Sequence, residues 1–152
     1  MNKEIKKNII LSGISLLVFA LDRISKVWIM ENLYFSSRKI FSFFSLTYVE
    51  NTGVAFGFLK DKNMFFIFSN TFFLILLLIF RRKFSSAYES AGLHLVIGGA
   101  LGNIYDRIAY GFVTDFFDFS FFPAVFNIAD ASITAGAILI GWQIFFAKKG
   151  DK

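Results

Sequence analysis

The sequence predicts a mostly α-helical integral membrane protein, with four transmembrane helices and a small β-rich region plus loops on the outer side. Three observations carry that prediction. The chain is 56% hydrophobic and only 18% charged over 152 residues, with a mean hydropathy of +0.61. A soluble domain of this length cannot hide so much apolar surface. Four runs approach the roughly 20 residues that cross a bilayer at about 1.5 Å per residue. Basic clusters alternate with these runs as the positive-inside rule expects of short cytoplasmic segments.

The first span covers about residues 9–29 and follows Lys3, Lys6 and Lys7. A basic start before an apolar stretch is also the pattern of a signal peptide, but no small-x-small cleavage site follows and the next residues are "DRISK". The first helix is therefore read as uncleaved. The outer loop, residues 31–63, contains "SLTYVENTGVAFG", whose β-branched and aromatic residues lead into a Gly-punctuated turn and read as a strand or hairpin. The second span, about 64–80, is short, and Arg81, Arg82 and Lys83 follow it. The third span covers about 91–110, the second outer loop 111–127, and the fourth span about 128–146. Lys148, Lys149 and Lys152 close the chain. Both termini then face the cytoplasm, and residues 1–152 form one membrane-embedded domain without repeats or linkers. The net charge of +5 is spent on topology, so no nucleic-acid partner is expected.

Depth organises the polar residues. Asp22 lies 15 residues beyond Lys7, roughly 22 Å along a helix towards the outer face. Asp106 lies 15 residues beyond Ala91, the same distance in the same direction. Asn51 and Asp115 fall in the two outer loops, and Asp130 at the outer start of the fourth helix. Unpaired charges are costly in lipid, so acids gathered at one level mark a site.

Elimination narrows its chemistry. There is no cysteine, hence no thiolate nucleophile or thiolate metal site. The single His, His94, sits near the cytoplasmic end of the third helix, 12 residues or roughly 18 Å from Asp106. A Ser-His-Asp triad or a zinc site is therefore a poor reading, and no metal or cofactor is expected. Paired carboxylates remain. Two close together share one proton; the ionised member takes a proton from water while the protonated member hydrogen-bonds the scissile carbonyl. The candidates are Asp115 in "GFVTDFF" and Asp130 in "FNIAD", with Asp118 as a rival to Asp115. A helix N-terminus favours the ionised form of Asp130, which leaves the shared proton to Asp115, although such a pair titrates as a unit.

Asp106 beside Arg107 reads as an ion pair or orienting group that braces the site. Gly98 and Gly99 read as a close helix contact. The alternative to a peptidase is a small ion or proton transporter, in which intramembrane carboxylates form a relay. A non-catalytic membrane partner whose acids only staple helices is a third reading.

Five blocks carry a resemblance to a known family: "DRISK", "NTGVAFG", "GGALGNIYDR", "GFVTDFFDF" and "FNIAD", in that order. With the four-span layout, they make nearly the whole chain resemble bacterial lipoprotein signal peptidase, or signal peptidase II. The resemblance implies an aspartyl endopeptidase of the bacterial cytoplasmic membrane, with its active site at the outer face. It implies cleavage of diacylglyceryl-modified prolipoproteins before the lipidated cysteine, beside membrane lipids; a monomer without a cofactor is expected. It assigns catalysis to Asp115 and Asp130. Support or substrate binding falls to Asp22, Lys26, Asn51, Gly53, Asn103, Asp106, Arg107 and Asn127. The outer loop carrying Asn51 becomes part of a β-rich cradle. Arg23 departs from the Gln usual in the family, Val54 from the common Ala, and the Asp115 to Asp130 stretch is short.

Overall fold

The computed structural model describes residues 3–53, 62–84 and 86–146, with side chains from residue 11 onwards. The side chains of Lys3, Lys6 and Lys7, the terminal lysines at 148, 149 and 152, and residues 54–57 of the Gly-punctuated turn lie outside it. Each predicted apolar run forms a helix: α1 (Lys3–Asn32), α2 (Asn63–Phe80), α3 (Ala87–Ala109) and α4 (Ile128–Phe145). A 3₁₀ turn, Arg81–Lys83, follows α2. Helix α3 is central and packs on α1, α2 and α4.

Ser86 and Glu89 start α3 with a reciprocal capping box. Asn127 and Asp130 do the same for α4. In each case a side chain satisfies a backbone N–H that the first turn leaves free.

By length and composition, two segments among the described residues are apolar enough to cross a membrane, Asn63–Lys83 and Ile128–Phe145. Helices α1 and α3 fall short of that measure because they carry the charged residues of the site. Those charges turn inward. Asp22, Lys26 and Asp106 are 0% exposed, whereas Leu16 and Ile24 of α1 and Ile108 of α3 are more than 60% exposed. Water-soluble proteins show the opposite arrangement.

Small residues set the helix separations. A Cβ on Gly98 would lie 2.6 Å from the Ser15 carbonyl oxygen of α1, and one on Gly99 would lie 2.5 Å from the Ala129 carbonyl oxygen of α4. Both glycines thus make the close contact the sequence predicts.

Strands β1 (Ser37–Phe41), β2 (Phe44–Asn51) and β3 (Val113–Phe119) form an antiparallel sheet in that order. The expected hairpin exists, but it pairs "FSLTYVEN" with the preceding β1 rather than with residues after Asn51. Strand β3 occupies what the sequence reads as an outer loop. Its Val, Thr and Phe residues favour the pleat, and β2 provides a pairing edge. Gly111, at φ +84, turns the chain out of α3 just before β3. Alternation along β3 then sends Phe116 into a core with Ile29, Leu33 and Tyr48, while Asp115 points the other way.

Candidate active site

Helix α1 contributes Asp22, Arg23 and Lys26. Asp22 and Lys26, four residues apart, share one face. Lys26 Nζ lies 2.8 Å from Asp22 Oδ2, 2.9 Å from Asp106 Oδ2 and 3.0 Å from Asn103 Oδ1. Its three protons are thereby matched with three acceptors. Asp22 Oδ1 accepts the Ala129 backbone N–H at 2.9 Å, one of the free donors at the start of α4. Gly102 makes this possible, since a Cβ there would collide with the Asp22 carboxylate.

Asp106 does not pair with its neighbour Arg107. It takes the Arg23 guanidinium, Lys26 and the Thr114 backbone N–H. Arg107 donates instead to the Gly53 carbonyl at 2.8 Å and to Asn63 Oδ1 at 3.4 Å, and lies over the Phe66 ring. The expected ion pair fails for a geometric reason: consecutive helix side chains point about 100° apart. The bracing role expected of both residues is nevertheless visible in their contacts. Arg23, which departs from the family pattern, lies 4.6 Å and 5.7 Å from the Tyr105 and Tyr110 ring centroids while bound to Asp106. Cation–π contact and ion pairing offset its desolvation together.

Asp115 and Asp130 sit on either side of Asn127. Asp115 Oδ1 accepts from Asn127 Nδ2 at 2.6 Å, and its Oδ2 from Asn51 Nδ2 at 2.8 Å. Asn51 reaches it because Val49 is the cross-strand partner of Asp115, so Asn51 is its diagonal neighbour. The Gly53 backbone N–H donates to Asn51 Oδ1 at 3.0 Å, which fixes the amide with its NH₂ towards Asp115. Asp130 Oδ1 accepts from Asn103 Nδ2 at 2.8 Å, and its Oδ2 from the Asn127 backbone N–H at 3.3 Å. Lys26, bound to Asn103 Oδ1, orients that amide towards Asp130 in turn.

Burial, and then the nearby Asp130 charge, push the Asp115 carboxyl up to about 7, against the pull of its two amide donors and Lys26. Charge balance points the same way. In this network the described residues include three cations, Arg23, Lys26 and Arg107, and four carboxyls, Asp22, Asp106, Asp115 and Asp130. One proton held by the Asp115–Asp130 pair makes the cluster neutral, the least costly state in low dielectric.

A groove of about 760 Å³ opens beside the two carboxyls. Phe66, Phe122, Ile133 and Ile138 are among its apolar walls, with Asp115 and Asp130 on its lining. The site thus joins two hydrogen-bonded carboxyls to an apolar trough. That combination suits proton transfer to and from an amide carried by an apolar chain.

All ten residues expected at the site belong to this network. The rival Asp118 does not: it accepts from Thr47 Oγ1 at 2.9 Å and is absent from the groove lining. His94 is remote and bonds Ser15 at 3.0 Å. Sequence reasoning missed the parts played by Asn63, which also donates to the Arg107 carbonyl at 2.9 Å, and by Thr114. An amide opening an otherwise apolar run was the available signal for Asn63.

Comparison with known proteins gives consistent results. The pattern of the family described as Signal peptidase (SPase) II matches residues 14–146. The lipoprotein signal peptidase of Shewanella sp. (strain MR-4) is 44% identical over 147 residues, covering 90% of this chain and 86% of that one. That of Caldanaerobacter subterraneus subsp. tengcongensis is 48% identical over 106 residues, covering 68% and 72%. Two bacterial membrane enzymes solved by the in meso method share the fold. One superposes with a TM-score of 0.83 at 31% identity, covering 91% of this chain and 89% of its own. The other has a TM-score of 0.79 at 33% identity, covering 88% and 90%.

Proposed function

The chain belongs to the signal peptidase II family, and from that premise we propose that Asp115 and Asp130 are the catalytic pair of an aspartyl endopeptidase. The enzyme removes signal peptides from lipoproteins, cutting diacylglyceryl-modified prolipoproteins before the lipidated cysteine. The observation that carries the assignment is the pairing of Asp115 and Asp130 around Asn127 at an apolar groove.

In the proposed reaction Asp115 holds the shared proton and hydrogen-bonds the scissile carbonyl oxygen. Ionised Asp130 takes a proton from water as the water oxygen bonds to the carbonyl carbon. Asp115 gives its proton to the carbonyl oxygen, forming a neutral diol. The C–N bond then breaks as Asp130 returns its proton to the departing nitrogen, and Asp115 recovers a proton from the collapsing diol. The products are a signal peptide with a new carboxyl terminus and a lipoprotein with a free cysteine amine. Asp22, Lys26, Asn51, Gly53, Asn103, Asp106, Arg107 and Asn127 hold the pair and the surrounding backbone in position.

The same reading makes residues 1–152 one peptidase domain of the cytoplasmic membrane, acting as a monomer, with four spans, both termini cytoplasmic and the pair at the outer face. Inward charges on α1 and α3 and their apolar outer faces support counting them as spans. The three strands form the outer cradle, beside membrane lipids. The transporter alternative has no support from the relatives, which are named as peptidases.

The test is cleavage of a diacylglyceryl-modified prolipoprotein by protein purified in detergent, read by gel shift and mass spectrometry. Asp115→Asn and Asp130→Asn should each lower kcat/KM by about 10⁴-fold or more, while Asp118→Asn stays near wild type. Cleavage retained by either of the first two would sink the assignment.

A further inference from the structure

Helix α2 is almost wholly apolar, with a mean hydropathy of 2.2 over the most apolar 18 residues of its segment, yet it carries Asn70 on the groove lining. The adjacent Thr71 is not on that lining, and two other polar groups of the helix are occupied. Asn63 bonds Arg107, and Ser69 Oγ donates to the Phe66 carbonyl. The half-buried Asn70 carboxamide has no hydrogen-bond partner among the described residues. A carboxamide without partners on a membrane helix is costly unless something in the groove completes it.

Its position identifies what does. Asn63 binds Arg107 near the end of α3, and Asn103 of α3 binds Asp130 near the start of α4, so α2 and α4 descend from the same end of the bundle. Asn70 lies two helical turns, roughly 10 Å, below Asn63. Asn63 sits at the Arg107 level, about 6 Å above Asn103 and the Asp130 it binds, which puts Asn70 roughly 4 Å below the pair. Thr134, also on the lining, lies roughly 6 Å below Asp130. A helical signal segment offers no free scissile carbonyl, so the residues just before the cut must unwind. Their N–H and C=O groups then need partners in an apolar layer, where each unmet group costs several kcal/mol. At about 3.3 Å per extended residue, a drop of roughly 4–6 Å reaches the first or second residue before the cut.

Resting on the catalytic reading above, we propose that Asn70 positions the substrate: its carboxamide donates to and accepts from the unwound backbone of the first two residues upstream of the cleaved bond. An amide side chain suits this task because it presents both a donor and an acceptor. An ester carbonyl of the lipid anchor is the rival group, and it can only accept.

The experiment measures cleavage kinetics of wild type, Asn70→Leu and Asn70→Gln in detergent, with Asp115→Asn as the inactive control. Three synthetic lipopeptides are used: the parent, one with ester oxygens replacing the backbone N–H of the first and second upstream residues while the scissile amide is kept, and one with an ether-linked lipid. Leucine suits an apolar helix, and thermal melting checks that folding is kept. Asn70→Leu should lower kcat/KM on the parent about tenfold, mainly through KM, with partial rescue in Asn70→Gln. The backbone-ester substrate should remove most of that difference, and the ether-lipid substrate should preserve it. Equal kinetics of Asn70→Leu and wild type, or a difference erased only by the ether lipid, would overturn the proposal. Wild type that cleaves none of the three would overturn the peptidase reading itself.

Discussion

Asn127 and Asp130 cap one another: the Asn127 carbonyl oxygen of the side chain accepts the Asp130 backbone N–H at 2.8 Å, and Asp130 Oδ2 accepts the Asn127 backbone N–H at 3.3 Å. The residues that begin α4 are thus also those that build the proposed site. Asn127→Ala should lose both the cap, about 1 kcal/mol of stability, and the amide on Asp115. Asn127→Ser retains a capping oxygen but has no amide to donate to Asp115. It should therefore melt near wild type in detergent yet lose activity. Equal activity in Asn127→Ser and wild type would detach the amide from function.

The raised Asp115 carboxyl predicts two pH effects. Activity needs one proton on the pair, so kcat/KM should fall as pH rises beyond about 7. Stability follows from linkage. An unfolded aspartate ionises near its ordinary 3.8, whereas the folded one keeps its proton to about 7. The unfolded state therefore binds fewer protons in that interval, and stability should decline from about pH 4 to pH 7, then level off. Asp115→Asn should remove this decline. Parallel melting curves for wild type and mutant across that window would refute the shift.

Lys26 is 0% exposed and contacts two carboxylates and Asn103. Lys26→Met should destabilise the fold by about 3–5 kcal/mol, because it strands buried charge. Lys26→Met combined with Asp22→Asn should lose less than Lys26→Met alone. That sign of non-additivity, measured by unfolding in detergent, marks direct coupling; simple additivity of the two losses would contradict it.

Gly99 meets the Ala129 carbonyl of α4, one residue before Asp130. Gly99→Ala should push the helices apart, cost about 1–3 kcal/mol and lower kcat. Gly141, where a Cβ meets nothing within 4 Å, is the control: Gly141→Ala should leave both melting and kcat near wild type.

Much of the helical framework was legible because apolar runs and basic clusters are local signals. Strand β3 was not. "VTDFFDF" becomes a strand by pairing with β2, more than 60 residues away, and that edge is invisible in a short window. Likewise, adjacency in sequence paired Asp106 with Arg107, while the helical turn sends Asp106 to Arg23 and Lys26.

The amino-acid sequence by itself determined the apolar helices, the shared level of the acids and the short choice of chemistry left without cysteine. Those properties reside in residue type and in distance along one helix. Only the tertiary structure decided which amide orients which carboxylate, that Asp118 turns to Thr47, and that Asn70 faces the groove. Such contacts depend on the rotation and separation of packed elements, and a side-chain hydrogen bond is lost within about 1 Å of misplacement.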